Sequence, residues 1–493
     1  MAELYEAAAL PNEALFWRSR VAELNPGLLD DELCLAQAAM RTQDFATATN
    51  ALAAVNPEGK QTAAYHDMAG AMAAALNQSA QAEAHFLEEA RLEPTNQIPL
   101  LNIAVLRLRG GKEEELADAR SSLQRMASNS TNSILRCMAL RELTADAMRY
   151  RQTNDALALS GELLRQTNSV FHDRLLRLDV LLDTGSAEFK PALSDIRREA
   201  ASDPAHITEL VSWQMFKNQP KDALVWLHSL PSNMTTNQSV AMSGAECYAV
   251  TGDWRGLQSQ VEGQNWGDMD FVRHAFHALA LRKQDLAEGS RTQWALAMNA
   301  AQSQKLKLNT LLRLALQWNW AGESEQALTA IVKLSPGDNG AFQALVHALF
   351  VGGHTRELMQ LYHDKAAHEP SNLAAKNNLA WTALLLSAQE MRPDLLARDN
   401  YQEAPTNSSF ASTYAFSLLM QKKNAEALRV LQSLDPRDLE NPSIASCYGL
   451  ALIANGDQTK GKKYLELGYQ SPMLPEQRDL MNAAKRGDPL FKP

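Results

Sequence analysis

Aromatic residues make up only 6% of this chain, and cysteine occurs four times in 493 residues. No stretch approaches the ~20 consecutive apolar residues needed to span a bilayer. The N-terminus has no basic start leading into an apolar segment, so no signal peptide is visible and insertion into a membrane is not expected of these residues. Cys34, Cys137, Cys247 and Cys447 are too far apart for a C-x-x-C or other metal-ligand spacing, which leaves no disulfide framework. Each falls in an apolar helical pattern and is expected to be a buried, inert thiol. Dense basic runs are missing as well. The 47 Lys and Arg against 57 Asp and Glu give a net charge of −10, which argues against nucleic acid as a partner.

Catalytic signatures are equally scarce. There is no G-x-S-x-G elbow, H-E-x-x-H pair, dinucleotide fingerprint or calcium loop. Gly456 to Lys463 approaches the phosphate-binding G-x-x-x-x-G-K-[ST], but Lys463 stands where Ser or Thr must hold magnesium, and no strand precedes it. His274 and His277 lie three apart, with no acidic ligand in the same motif. Glu88-Glu89 and Glu113 to Glu115 read as solvated helix positions. The Asn-x-Ser/Thr sequons at Asn77, Asn129, Asn233, Asn237 and Asn407 match a pattern too short to imply glycosylation. These readings predict no catalytic residue, no metal and no cofactor.

What is present is Ala and Leu in quantity, within a composition 45% hydrophobic and 21% charged. Both residues favour helix, whereas strands draw on β-branched and aromatic side chains. The length exceeds one ordinary core, which stops growing at roughly 250–300 residues. A repeat accounts for it. A large and a small residue sit together, a second small residue follows 12 positions on, and a large apolar one comes four later. Leu35-Ala36, Ala48 and Leu52 fit, as do Ala69-Gly70, Ala82 and Phe86. So do Leu314-Ala315, Ala327 and Ile331; Tyr414-Ala415, Ala427 and Leu431; and Tyr448-Gly449, Gly461 and Leu465. Small side chains let two antiparallel helices approach, and large neighbours fill the space around the crossing. Turns are expected at Gly110-Gly111, Gly252-Asp253, Gly322, Gly352-Gly353 and Gly456-Asp457. Prolines punctuate the units, and Pro336 to Pro370 spans 34 residues.

With these features the chain resembles bacterial tetratricopeptide-repeat proteins along essentially its full length. The resemblance implies an all-α, right-handed superhelical solenoid of about 12–13 antiparallel helix hairpins. The expected divisions are a truncated first repeat (1–26), N-terminal repeats (27–186) and divergent helical repeats (187–303). C-terminal repeats (304–470) and a capping helix with its tail (471–493) follow. Residues 13–24 read as the second helix of a repeat whose first helix, residues 2–9, is too short, so either a clipped helix caps the array or the chain is part of a longer protein, the second being the expectation. Relatives of this texture often continue N-terminally into more repeats and a membrane anchor, which leaves the compartment open.

The resemblance implies a protein-interaction scaffold that binds a peptide or protein segment on the concave face. Trp320 and Leu316 turn towards that face and are the candidate anchors, with core packing as the competing role for Trp320. Asn102 and Asn378 each sit in an Asn-apolar-Ala triplet on a first helix, the position from which some family members grip a peptide backbone or carboxylate. Lys376 lies beside Asn378, but no complete carboxylate clamp can be assembled. The alternative is a regulatory or targeting portion of a larger, membrane-anchored protein whose catalytic part lies outside this chain.

Overall fold

The structure, a computed structural model, describes Ala2 and residues 11–110, 112–301 and 303–488. Among them there is no strand. The chain divides into two compact units, Met1–Gln264 and Asn265–Pro493.

The first unit opens with a helix at Pro11–Leu24 and continues as seven antiparallel hairpins. Hairpins 1–3 pair Leu29–Arg41 with Phe45–Ala54, Ala63–Ala75 with Ser79–Leu92, and Ile98–Gly110 with Glu113–Asn129. Hairpins 4–7 pair Ser133–Arg149 with Thr153–Leu164, Phe171–Asp183 with Phe189–Ala200, Pro204–Phe216 with Pro220–Leu227, and Gln238–Thr251 with Trp254–Val261. In the second unit, hairpins 8–10 pair Asp270–Arg282 with Ala287–Ala301, Lys305–Gln317 with Ala321–Leu334, and Asn339–Gly352 with Thr355–His368. Hairpins 11–13 pair Leu373–Leu385 with Pro393–Glu403, Ser408–Met420 with Asn424–Gln432, and Pro442–Ala454 with Gln458–Gly468. A terminal helix, Pro475–Arg486, follows. The short first helix expected at residues 2–9 lies outside the described residues, apart from Ala2.

The repeat shows most plainly in the backbone. From Arg151 to Gly456 a left-handed residue recurs every 33–35 positions: Arg151, Gly185, Asn218, Gly252, Asp285, Asn319, Gly353, Ser387, Lys422 and Gly456. At each, the following N–H donates to the carbonyl five residues before it, at 2.8–3.2 Å. Gln152 N to Ala147 O, Trp320 N to Ala315 O and Asp457 N to Leu452 O are examples. This six-residue ring closes a helix end through a left-handed residue. The register runs unbroken through residues 187–303.

Three expected turns, at Gly252, Gly353 and Gly456, carry the left-handed residue. Gly322 does not: it lies inside Ala321–Leu334, and the turn falls at Asn319. Asn tolerates that conformation because its short side chain bonds locally. Gly110 ends its helix, and Gly111 lies outside the described residues.

Seven residues before and five after the left-handed residue, the two helices of a hairpin cross. Gly70 and Ala82 occupy these positions in hairpin 2, and Gly449 and Gly461 in hairpin 13. A Cβ on Gly461 would sit 2.9 Å from the carbonyl oxygen of Gly449, so glycine is required by contact between backbones. In hairpin 8 the pair is Ala278 and Ser290, and the Ser290 hydroxyl donates to the Ala278 carbonyl at 2.9 Å. Hairpin 9 differs from the expected register. Because its turn is at Asn319, the crossing pair is Leu312 and Ser324. Ala315 and Ala327 are fully buried about one turn along, nearer the loop than Leu312 on the first helix and further from it than Ser324 on the second.

In the second unit the terminal helix returns to hairpin 10. The Thr355 hydroxyl donates to the Glu476 carboxylate at 2.5 Å, and a Cβ on Gly353 would lie 2.9 Å from the Pro475 ring. Met473, Leu474, Met481 and Ala484 are buried in one core with residues from Leu328 onward. The first helices of hairpins 11–13 are buried on nearly every side, as Phe410–Leu419 shows, where every residue but Tyr414 is buried and Ser412, Thr413 and Ser417 are the polar members. A helix apolar all round belongs in an interior.

Candidate functional site

The five residues nominated by sequence lie in three hairpins. Asn102 belongs to the first unit; Leu316 and Trp320 lie two hairpins from Lys376 and Asn378 in the second. Trp320 is 6% exposed and precedes its helix as the N-cap residue. Its ring lies 5.0 Å from that of Trp318 and 5.8 Å from that of Trp294, and the Arg282 guanidinium sits 3.7 Å over it. Arg282 also pairs with Glu323, so this cluster ties hairpin 8 to hairpin 9. Trp320 is therefore a packing residue. Leu316, at 60% exposure, faces out. Asn378 is half-buried and shares a hydrogen bond with Tyr362, whose phenol burial pushes up. Asn102 and Lys376 are half-buried on their helices.

Of the cysteines, Cys137, Cys247 and Cys447 are buried, and Cys34 is half-buried. Burial raises the Cys247 and Cys447 thiols to about 12, which keeps them protonated and unreactive. The His274 ring contacts Gln293 Oε1 at 2.7 Å and Arg273 at 2.9 Å, a packing arrangement. Among the described residues, no group of three His, Cys, Asp or Glu side chains is placed to hold a metal ion.

Concave space is found at hairpins 3, 7 and 10, and also where hairpins 12 and 13 meet, at a pocket lined by Lys422, Asn424, Ile453 and Gln458. In ten hairpins whose second helix starts two residues after a left-handed residue, and in hairpin 3, the fourth residue of that helix faces the crossing. It is Ala48, Ala82, Ala156, Ala223, Ser290, Ser324, Ala427 or Gly461 in eight of them, and Leu116, Leu257 or Leu358 in hairpins 3, 7 and 10. Each of those three hairpins has a cleft. Each cleft lies over the hairpin's first helix, between its second helix and the connection or second helix preceding it. In hairpin 10 both crossing residues are large, Val346 and Leu358.

The hairpin 10 cleft, about 460 Å³, is the most apolar of the three. Its floor is Phe342, Leu345 and Leu349 from the first helix, with Leu361 from the second. Val332 and Thr329 form the opposite wall on Ala321–Leu334. Lys365 closes one end. It is 6% exposed, with its ammonium 2.7 Å from Glu369, 3.0 Å from Asn339 Oδ1 and 5.0 Å over the Phe342 ring. The hydrogen bond from Lys365, then one from Asn372, holds the Glu369 carboxyl below its ordinary range. At the other end Glu325 meets the His354 ring at 2.7 Å. Glu357 and Asp364 stand exposed along the rim. The arrangement offers an apolar slot with charged ends; it brings no nucleophile together with a base.

Sequence reasoning missed this site because it searched for small residues at the crossing. In hairpin 10 those positions hold Val346 and Leu358, where hairpin 2 has Gly70 and Ala82.

No protein-family model and no curated protein matches the chain. A chain of the APC/C hetero-tetramer Cut9–Hcn1 is 12% identical, with 85% of this chain and 89% of that one covered, at a TM-score of 0.28. A tetratricopeptide repeat protein from Parabacteroides merdae is 10% identical over 50% of this chain and 97% of its own, at 0.27. The TPR domain of P58(IPK) is 12% identical over 90% and 98%, at 0.20. Likeness at these TM-scores assigns no function, and the helical repeat stands on the hairpins of this chain.

Proposed function

We propose that this chain is a protein-interaction scaffold, without catalytic activity, that holds a segment of another protein. The observation that carries the reading is the hairpin 10 cleft, an apolar slot with a polar rim on a helical array. Such a slot suits anchor side chains that enter while polar groups fix their register. The net charge of −10 favours a protein segment over nucleic acid. Leu316, exposed on the first helix of hairpin 9, offers a second apolar contact.

The test is affinity capture from the source cell's lysate with the purified chain and with a Val332→Arg, Gln360→Arg double variant whose helicity is checked first. Partners held by the wild type and lost by the variant support a scaffold working through this cleft. Partners held equally by both place the binding elsewhere, and no partner on either chain removes the scaffold reading.

A further inference from the structure

We infer that the hairpin 10 cleft accepts one face of a basic amphipathic helix from a partner protein. The inference rests on the scaffold reading and adds the chemistry of the partner.

Glu357 and Asp364 lie seven residues apart on Thr355–His368, with buried Leu361 between them. Seven residues of helix span roughly 10 Å and return to the same face. One rim of the cleft is thus carboxylate, apolar floor, carboxylate in sequence along its length. Glu325, in contact with His354, adds a third carboxylate on the facing helix. The cations of the lining do not balance these groups. Lys365 is committed to Glu369 and Asn339 at the closed end, and Lys333 stands on the opposite wall. The charge left for an occupant is negative.

The complement is a helix with Lys or Arg at positions i and i+7 and apolar side chains between them. Its apolar residues enter over Phe342, Leu345 and Leu361, and its cations reach Glu357 and Asp364. A helix lying in a groove between helices is a recurrent mode of recognition, read out by anchors at i, i+3, i+4 and i+7. An acidic segment would place like charges together along the same rim. An uncharged apolar segment would fill the floor and leave the rim unused.

The experiment titrates the full chain with three fluorescent helical peptides of about 14 residues that share one leucine face. The flanking positions at seven-residue spacing are Lys in the first, Glu in the second and Gln in the third. The Lys peptide is expected to bind about tenfold tighter than the Gln peptide, with the difference shrinking as salt is raised, because exposed charges are screened within about 8 Å at physiological ionic strength. A Glu357→Lys, Asp364→Lys variant, whose changes are on exposed positions, should reverse the ranking of the Lys and Glu peptides. Equal binding of all three overturns the basic-helix inference and leaves the scaffold reading standing. A Lys preference that survives the charge-reversed variant also overturns it, by placing the basic site elsewhere. Binding of none overturns the inference, and the capture experiment then decides the scaffold reading by itself.

Discussion

Gly449 and Gly461 meet where two helix backbones touch. A Cβ on Gly461 would lie 2.4 Å from Ile453 Cγ1 as well as 2.9 Å from the Gly449 carbonyl oxygen, and the second of these cannot rotate away. Gly461→Ala is therefore expected to cost about 1–3 kcal/mol by overpacking, read as a fall in the denaturant midpoint. An unchanged midpoint would mean the helices have room to part. Glu89, read from the sequence as a solvated helix position, is instead turned inward against its neighbours. It is buried, its Oε2 has no hydrogen-bond partner, and burial, then Asp67 and Glu93, push its carboxyl up to about 7 from 4.5. The folded chain then holds this proton more tightly than the unfolded one. Stability is fully present below about 4.5 and is lost as pH rises towards about 7. Glu89→Gln should raise the melting temperature at pH 8 and leave it little changed near pH 4. A variant equally stable with the wild type at pH 8 would show that the carboxylate is solvated.

Hairpins were legible because small pairs 12 apart and prolines 34 apart are signals of composition. The turns between them were less so. A left-handed residue is announced by glycine, yet Arg151, Asp285, Ser387 and Lys422 hold that conformation here. The helix end is satisfied by the backbone bond that follows, whatever side chain stands at the turn. This is also why the hairpin 9 crossing was read about one turn away from Leu312 and Ser324: Gly322 drew the turn from Asn319. A non-glycine residue pays for its Cβ there, so Lys422→Gly should stabilise the chain by about 0.5–1 kcal/mol in denaturant titration. A loss of stability would show that the Lys422 side chain contributes more than its conformation costs. The cleft was not legible at all. Its floor of Phe342, Leu345 and Leu349 reads in sequence as the ordinary apolar stripe of a helix, and no single residue announces that the stripe lines a groove.

Stacked repeats usually behave as a line, each stabilised by its neighbours alone. The second unit is not a simple line, because Glu476 and Pro475 reach back to Thr355 and Gly353 at hairpin 10. Glu476→Ala should therefore speed amide exchange around the Gly353–Thr355 turn and in the terminal helix together, with the first unit unaffected. Exchange that changes only in the terminal helix would show that the contact closes nothing. This closure joins residues 121 positions apart, and a ribosome adds roughly 5–20 residues per second. During synthesis the Gly353–Thr355 turn is thus complete on the order of ten seconds before the residues that cover it exist. For that interval the growing chain presents an edge that the finished protein keeps covered.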